Sequence, residues 1–423
     1  MRKKFNSIKA VLLLLTICLC FKGFTQDAVN YQMPPKDIVD LLLAKPTPSV
    51  NIDSKAQWML LGERNSYPTV EELGQPEVRI AGLRLNTNNF SPTRQTYINN
   101  FILKNIITNK EYKLIGLPAN MLANNIRWND SETKIAFTNT TGIRVDAYVI
   151  DVATQKVIKA NKQALNIITG GSIAWYDDNT LMYKVATALP SAVPKKPITP
   201  KGPTVQQNIG KAAPGRTYQD MIKSPYDEQL FEFLATSQLV MNKNGVETKI
   251  GKPSIYSYFN LSPDKKYILV ETIKKPFSYL VPANGFPSTV SIIDNTGKLI
   301  KVLAELPSSE TTPSGNDNVQ NVPRGFDWRD DEPATIVWCM PLDSGLIKNK
   351  MEYHDAVYAQ AAPFNTDAKE LFKTKMRFRG INWGNETFAW ITEALVGKQS
   401  ARVSRYNPSN NTTETLLERN ITD

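Results

Sequence analysis

The stretch Tyr258–Pro282, YFNLSPDKKYILVETIKKPFSYLVP, holds the pattern on which the fold turns. Between Tyr258 and Leu269 an apolar strand entry meets a Ser262-Pro263-Asp264 turn and then a second strand. β-Branched and aromatic residues on either side of Pro/Asp punctuation mark a tight strand–turn–strand unit. Weaker copies recur at Asn51-Ile52-Asp53-Ser54, Arg127-Trp128-Asn129-Asp130, Ala174-Trp175-Tyr176-Asp177, Asp327-Trp328-Arg329-Asp330 and Asn382-Trp383-Gly384-Asn385. Most of these six units, the first included, are followed by an apolar strand: Trp58–Leu61, Ile135–Phe137, Leu181–Tyr183, Tyr267–Val270, Thr335–Trp338 and Phe388–Ile391.

A repeated strand–turn–strand unit predicts an all-β fold, and the shortest intervals, Trp128 to Trp175 and Trp328 to Trp383, approach one four-stranded propeller blade of roughly 40–50 residues. In a β-propeller each blade buries both faces against its neighbours, which accounts for strands throughout and turn signals at short intervals. A pair of β-sandwiches is the competing architecture. The recurrent Trp or Leu ahead of an acidic turn favours blades, with Trp128, Trp175, Trp328 and Trp383 serving in blade packing.

The longer intervals hold insertions. Residues 189–237 form a Pro-rich insertion: Pro190, Pro194, Pro197, Pro200, Pro203 and Pro214 read as an extended loop, and Leu230, Phe231, Phe233 and Leu234 behind Ser224-Pro225 as a short helix. Pro307 to Pro323 is a further polar loop, and Glu77–Leu85 and Tyr97–Lys104 are extra strand-like runs. Ahead of the propeller at residues 47–423, residues 27–46 carry Ile38, Val39, Leu41, Leu42 and Leu43 between prolines, the spacing of one short amphipathic helix.

Residues 1–26 combine Arg2, Lys3, Lys4 and Lys9 with an apolar run from Ala10 to Phe21 and a polar end at Thr25-Gln26. That is the layout of a secretory signal, too short for a stable membrane span, and it predicts an exported chain, periplasmic or extracellular, with no membrane contact after cleavage near Gln26-Asp27. Ile17 and Leu19 stand ahead of Cys18 and Cys20, where a lipid-attachment signal carries a small residue. Cleavage leaves Cys339 as the single cysteine, a core thiol in an apolar run, so no intrachain disulfide is expected. It also removes five of the basic residues, and a net charge of +10 falls to +5, too mild and scattered for nucleic acid.

His354 is the only histidine. Any Ser-His-Asp or Cys-His apparatus must use it, zinc sites built on two or three histidines are excluded, and its neighbours read as a strand edge. A nucleophile elbow needs G-x-S-x-G because the serine sits on a strained strand-to-helix turn. Gly170-Gly171-Ser172-Ile173-Ala174 lacks the last glycine and runs into a strand, so Ser172 reads as blade structure. Asp177-Asp178 and Asp330-Asp331-Glu332 occupy the repeating turn, the N-x-S/T triplets fall in Asn-rich turns, and no phosphate, dinucleotide or calcium motif is present. No cofactor and no metal site is expected.

One segment exceeds blade structure. Lys274-Lys275-Pro276-Phe277-Ser278-Tyr279-Leu280-Val281-Pro282 is basic and aromatic, and ammonium groups with a Tyr hydroxyl supply donors for carboxylates. Lys274, Lys275 and Tyr279 are therefore candidate substrate or interdomain residues; an inter-strand connection is the alternative.

The runs Tyr31–Asp40 (YQMPPKDIVD), Pro46–Val50 (PTPSV), Trp58–Leu61 (WMLL), Glu77–Arg84 (EVRIAGLR), Arg216–Asp220 (RTYQD), Ala235–Gln238 (ATSQ) and Pro276–Pro282 (PFSYLVP), taken in order, resemble the N-terminal half of secreted prolyl oligopeptidase family serine peptidases, in the glutamyl-peptidase-like branch. The resemblance covers essentially all of the mature chain. It implies a propeller of about seven four-stranded blades, complete or incomplete at the C-terminus, that lids an α/β-hydrolase domain holding the Ser, Asp and His. The family motif nearest the substrate or interdomain face falls on Lys274, Lys275 and Tyr279.

No residue here matches that triad, and none is carried over as catalytic. The expectation is a non-catalytic, substrate-gating propeller portion of an exported serine endopeptidase, inactive alone, with a peptide substrate and an α/β-hydrolase domain as partners. The alternative is a stand-alone periplasmic propeller for binding or scaffolding.

Overall fold

The computed structural model describes residues 33–170, 173–198 and 217–420. The signal-like segment with Cys18 and Cys20, Ser172, and the prolines at 200, 203 and 214 lie outside the described residues. Two compact units divide at Lys45. In the first, helix α1 spans Lys36–Leu42 after Pro35, and the Leu43 N–H closes its last turn on the Val39 carbonyl. Ile38, Leu41 and Leu42 are exposed. Among the described residues no helix is long and apolar enough to cross a membrane.

From Pro46 onward the described residues form seven sheets, six of four strands and one of three. Each of the six repeat cores seeds one four-stranded blade. Blade 1 is Ser49–Ile52, Trp58–Glu63, Asn100–Asn105 and Lys110–Lys113. Blade 2 is Ala123–Trp128, Lys134–Thr140, Val145–Asp151 and Val157–Lys159. Blade 3 is Ile173–Asp177, Thr180–Ala186, Ser237–Lys243 and Val246–Ser254. Blade 4 is Tyr256–Leu261, Tyr267–Ile273, Ser288–Asp294 and Leu299–Leu306. Blade 5 is Arg324–Trp328, Thr335–Pro341, Asp355–Ala361 and Lys369–Thr374. Blade 6 is Arg377–Asn385, Phe388–Leu395, Ser400–Asn407 and Thr412–Asn420.

Every blade is an antiparallel meander in chain order, and no strand exchanges between sheets. That excludes paired sandwiches, whose Greek-key links would scramble the order. The first strands of blades 2 and 3, of blades 3 and 4 and of blades 4 and 5 touch one another, which puts those strands on the inner side of the array. Each repeat core ends a first strand, and its Asp, Asn or Ser turn leads to the second.

A buried cluster fills each seam between consecutive blades. Leu60, Phe101 and Leu103 meet Ile135, Phe137 and Ile150; Ala136, Val145 and Ala147 meet Trp175, Leu181 and Tyr183. Met182, Leu239 and Ile250 meet Phe259, Ile268 and Val270; Leu269, Val290 and Ile292 meet Trp328, Ile336 and Phe364. Val337, Cys339 and Val357 close on Ala389, Ile391 and Tyr406. Burying one such side chain contributes about 1.5–3 kcal/mol, so the five seams dominate the stability of the array. Covered on both faces, second strands such as Thr180–Ala186 are buried almost throughout. Among the described residues no comparable cluster joins blade 6 to blade 1. Val50 and Ile52 on blade 1, and Trp390, Leu416 and Leu417 on blade 6, stay exposed.

Cys339 is a core thiol, and burial pushes it up to about 12, which leaves it unreactive.

Candidate functional site

In a meander the first-to-second and third-to-fourth turns leave at one end, and the second-to-third and blade-to-blade links at the other. All the long connections are of the latter kind: residues 64–99 in blade 1, 187–236 in blade 3, 274–287 in blade 4, 307–323 between blades 4 and 5, and 342–354 in blade 5. One end of the propeller is thus plain turns. The other is built up.

The built-up end has its own core. The insert of blade 1 contributes helix α2 (Val70–Leu73), capped by a Thr69/Glu72 box, and the three-stranded sheet Val78–Ile80, Leu83–Asn86 and Ser91–Pro92. The insert of blade 3 contributes helix α3 (Pro225–Ala235), where Pro225 opens the first turn and the Ser224 hydroxyl accepts from the Asp227 N–H. Leu230, Phe231, Leu234 and Ala235 of α3 pack with Ile80, Leu85 and Phe90 of the first insert and with Phe277, Val281 and Phe286 of blade 4. Phe277 and Phe286 stand edge-on to Phe231 at 5.0 and 5.5 Å between centroids. Gly82 has φ +74°, and a Cβ there would come within 2.3 Å of the Pro282 Cβ, so only glycine lets the blade 1 insert meet the blade 4 link.

The segment Lys274–Pro282 lies on α3 as a strap. Lys275 Nζ pairs with Glu232 at 2.6 Å, and the Tyr279 hydroxyl donates to Glu228 at 2.6 Å. Lys274 pairs with Glu305, and the Ser278 hydroxyl donates to Glu310. Burial and the Glu228 carboxylate push the Tyr279 hydroxyl up to about 12, so it stays a donor at any physiological pH. The structure therefore brings Lys274, Lys275 and Tyr279 together at the built-up end, with Lys274 and Lys275 about half exposed and each already satisfied by an acid of its own chain.

A second polar group at this end was not foreseen from the sequence. Arg377, at the start of blade 6, reaches Asp343 at 2.7 Å and Asp355 at 3.0 Å, with all three side chains buried. Arg324, at the start of blade 5, donates to the other oxygen of Asp355, which also accepts from the Phe378 N–H at 2.8 Å. His354 directs Nδ1 to Asp343 at 2.8 Å from just ahead of a blade 5 strand. Among the described residues no serine or cysteine is bonded to it, so the one histidine is committed to this network. Burial pushes the Asp343 carboxyl up, but hydrogen bonds from Arg377 and His354 outweigh this and hold it below its usual range. Asp317 ties in the blade 6 link through the N–H groups of Val396 and Gly397 at 2.9 and 2.8 Å and through Arg379 at 2.9 Å. A sequence signal was present: Arg324-Gly325-Phe326-Asp327-Trp328 and Arg379-Gly380-Ile381-Asn382-Trp383 repeat one motif.

The acidic turns at the plain end are already bonded, one across a seam and one within its own turn. Asp178 accepts from Asn129 Nδ2 at 2.8 Å and from the Ser131 N–H at 3.1 Å, and Arg329 pairs with Asp331 at 2.7 Å. No group of three or more His, Cys, Asp or Glu side chains arranged for a metal ion occurs among the described residues.

No family model matches the chain. Two plant proteins do, each named a probable chloroplastic glutamyl endopeptidase. That of Oryza sativa subsp. japonica is 29% identical over 398 residues, covering 90% of this chain and 42% of its own length. That of Arabidopsis thaliana is 29% identical over 402 residues, covering 90% and 41%. The chain spans about two fifths of the length of these relatives. Among solved structures, Porphyromonas gingivalis dipeptidyl peptidase 4 superposes with a TM-score of 0.47 at 12% identity, over 88% of this chain and 52% of that one. Pyrococcus horikoshii acylaminoacyl peptidase does so with a TM-score of 0.41 at 11% identity, over 90% and 46%.

Proposed function

We infer, from a chain that is a glutamyl endopeptidase homologue, that this propeller is the non-catalytic, substrate-gating portion of a serine endopeptidase. The alignment with the two plant proteins over nine tenths of the chain carries this reading. Its chemistry requires a partner α/β-hydrolase domain that supplies serine, acid and histidine, because the histidine described above is tied to Asp343 with no nucleophile beside it. The propeller's part is mechanical and electrostatic. It narrows access to short or flexible peptides, and the built-up end, with Lys274 and Lys275 half exposed on it, is the face toward substrate or hydrolase. The first 26 residues support export to a periplasm or to the exterior; the plant relatives are named for the chloroplast instead.

The test is hydrolysis of a Glu-containing peptide by the chain alone and by the chain combined with the α/β-hydrolase domain of a relative. No turnover alone, turnover in the combination, and preference for peptides over folded proteins is the expected result. Turnover by the chain alone would overturn the non-catalytic assignment; a combination that cleaves folded proteins as readily as peptides removes the gating role.

A further inference from the structure

With the first strands on the inner side, the fourth strand of each blade forms its outer rim, and charge is uneven around that rim. In blades 1, 5 and 6 acids on the rim strand are paired with bases of the same blade: Glu111 with Lys104 at 3.7 Å, Glu370 with Lys373 at 3.4 Å and Glu418 with Arg402 at 2.8 Å. Blade 3 differs. Its rim strand, Val246–Ser254, reads VETKIGKPS. Lys249 and Lys252 on it, and Lys243 at the turn ahead of it, are exposed. Among the described residues no carboxylate lies within ion-pair distance of these three.

The one acid of that strand is already spent. Glu247 turns to the link that follows blade 2, where it accepts from the N–H groups of Lys162 and Gln163 at 2.9 and 3.3 Å, and it also accepts from the Tyr183 hydroxyl at 3.0 Å. These bonds hold Lys162, a fourth exposed lysine, beside the rim of blade 3.

The same rim exposes aliphatic side chains. Val246 is 65% exposed, and on the rim strand of blade 4, Leu299–Leu306, Leu299, Ile300 and Val302 are 55, 38 and 42% exposed. None of the four joins the clusters that fill the seams on either side of blade 4. Edge strands are ordinarily blunted with charge, so a bare aliphatic run on one needs a reason. The two rims are one surface. Gly251 of blade 3 and Gly297, at the turn into the blade 4 strand, pack backbone to backbone, and a Cβ on Gly297 would fall 2.0 Å from the Gly251 nitrogen. Lys249 and Lys252 flank the first glycine and Leu299 and Ile300 follow the second, so bases and aliphatics share one stretch of rim.

We propose that this rim docks the protein side-on to an anionic phospholipid surface, with the lysines among the headgroups and Val246, Leu299, Ile300 and Val302 at the acyl boundary. Charge decides the sign of the partner, because the bases here face no acid of their own chain. The aliphatics decide its kind. A soluble polyanion offers nothing to leucine or isoleucine, whereas the boundary between headgroups and acyl chains takes up apolar side chains, and each lysine near an anionic leaflet adds attraction. Lysine, a point charge on a flexible stem, also suits a layer of mobile headgroups better than a fixed, forked acceptor. Net charge and spanning length, on which the expectation of no membrane contact rests, do not register four lysines gathered by the stacking of blades. Docking by the rim leaves both ends of the propeller open, so the inference stands apart from the peptidase reading.

Binding is measured on the mature chain, from Asp27 on, so that the apolar run from Ala10 to Phe21 takes no part. Flotation is compared with vesicles of phosphatidylglycerol and phosphatidylcholine in equal parts and with vesicles of phosphatidylcholine alone; a labelled DNA duplex, read by fluorescence anisotropy, serves as the soluble polyanion. The mixed vesicles are expected to bind, less so as salt rises from about 50 to about 200 mM, and phosphatidylcholine alone is not. Lys243→Gln, Lys249→Gln and Lys252→Gln combined should weaken binding about hundredfold, roughly fivefold per lysine. Leu299→Ser should weaken it about tenfold and leave any duplex binding unchanged. Circular dichroism confirms that both variants fold. No flotation with the mixed vesicles, equal flotation with the two kinds of vesicle, or wild-type flotation by the triple variant overturns the surface. Duplex binding as tight as vesicle binding, or flotation of Leu299→Ser equal to wild type, makes the partner a soluble polyanion and overturns the lipid assignment.

Discussion

The indole Nε1–H of Trp328 donates to the main-chain carbonyl of Asn260, 3.1 Å away in the preceding blade. Trp175 Nε1 does the same to the Arg127 carbonyl at 3.0 Å, and Trp128 Nε1 reaches the Asn51 side-chain oxygen at 2.5 Å. The acceptor is in each case the residue just before the central Ile, Trp or Leu of the preceding unit: Asn51 before Ile52, Arg127 before Trp128 and Asn260 before Leu261. Tryptophan recurs because it fills a seam and staples it with one polar handle. At the fourth position, Trp383 is held by the Arg329 guanidinium 4.1 Å above its ring.

Replacing Trp328 with Phe keeps most of the packing and strands the Asn260 carbonyl. The expected cost is about 1–3 kcal/mol, against about 3–5 kcal/mol for Trp328→Ala. Trp128→Phe, at a less buried site, should cost less than Trp328→Phe. Urea denaturation decides it; a Trp328→Phe midpoint equal to wild type removes the staple.

The six cores were legible in the sequence because strand period and turn chemistry are local: Ser262-Pro263-Asp264 announces its turn wherever the chain goes. The built-up end was not. Lys275 meets Glu232, and Arg377 meets Asp343, only because several blade links leave at one end, a fact of topology rather than of composition. The basic-aromatic strip 274–282 reads alike whether it faces a partner or a helix of its own chain. The structure supplies the helix. His354 looked like any strand-edge residue, since its partner Asp343 sits in a loop with no motif.

Lys184 is wholly buried at the seam of blades 3 and 4, where Nζ donates to Thr169 Oγ1 at 3.0 Å and to the Tyr256 carbonyl at 2.9 Å, with no carboxylate partner among the described residues. Burial pulls its amine down to about 7. The unfolded chain holds that proton up to about pH 10.5, so between these values unfolding takes up a proton and stability rises with pH. Lys184→Met lacks this dependence. The wild type should gain on the variant by about 1.4 kcal/mol per pH unit from pH 7 toward 10. Parallel stability profiles for the two proteins would falsify the neutral buried amine.

Phe277 anchors the strap through the aromatic trio with Phe231 and Phe286, while Tyr279 adds one hydrogen bond at the surface. Phe277→Ala should cost about 3–5 kcal/mol and Tyr279→Phe about 1 kcal/mol. The damage from Phe277→Ala should be local, because that core lies outside the five seams. Limited proteolysis should cut the variant first within residues 187–236 while the blades survive; simultaneous loss of all bands would make the built-up end one cooperative unit with the blades.

Arg377 compensates two buried carboxylates, Asp343 and Asp355, neither of them exposed to solvent. Arg377→Met leaves those charges in the interior, where removing one partner of a buried pair costs about 3–5 kcal/mol. The sign of the pH dependence identifies the cause. In the variant the carboxyls rise above their unfolded values, so folding takes up protons and the variant gains, relative to wild type, as pH falls from 7 toward 4. Wild-type Asp343 is held low, so its contribution stays in place down to about pH 3.8 and is lost only below that; from 7 toward 4 the two curves converge through the variant's own gain. Arg377→Met combined with Asp355→Asn should recover part of the loss at pH 7 and flatten the profile. A double variant as unstable as the single one, with no pH dependence in either, would assign the loss to a packing void and not to stranded charge.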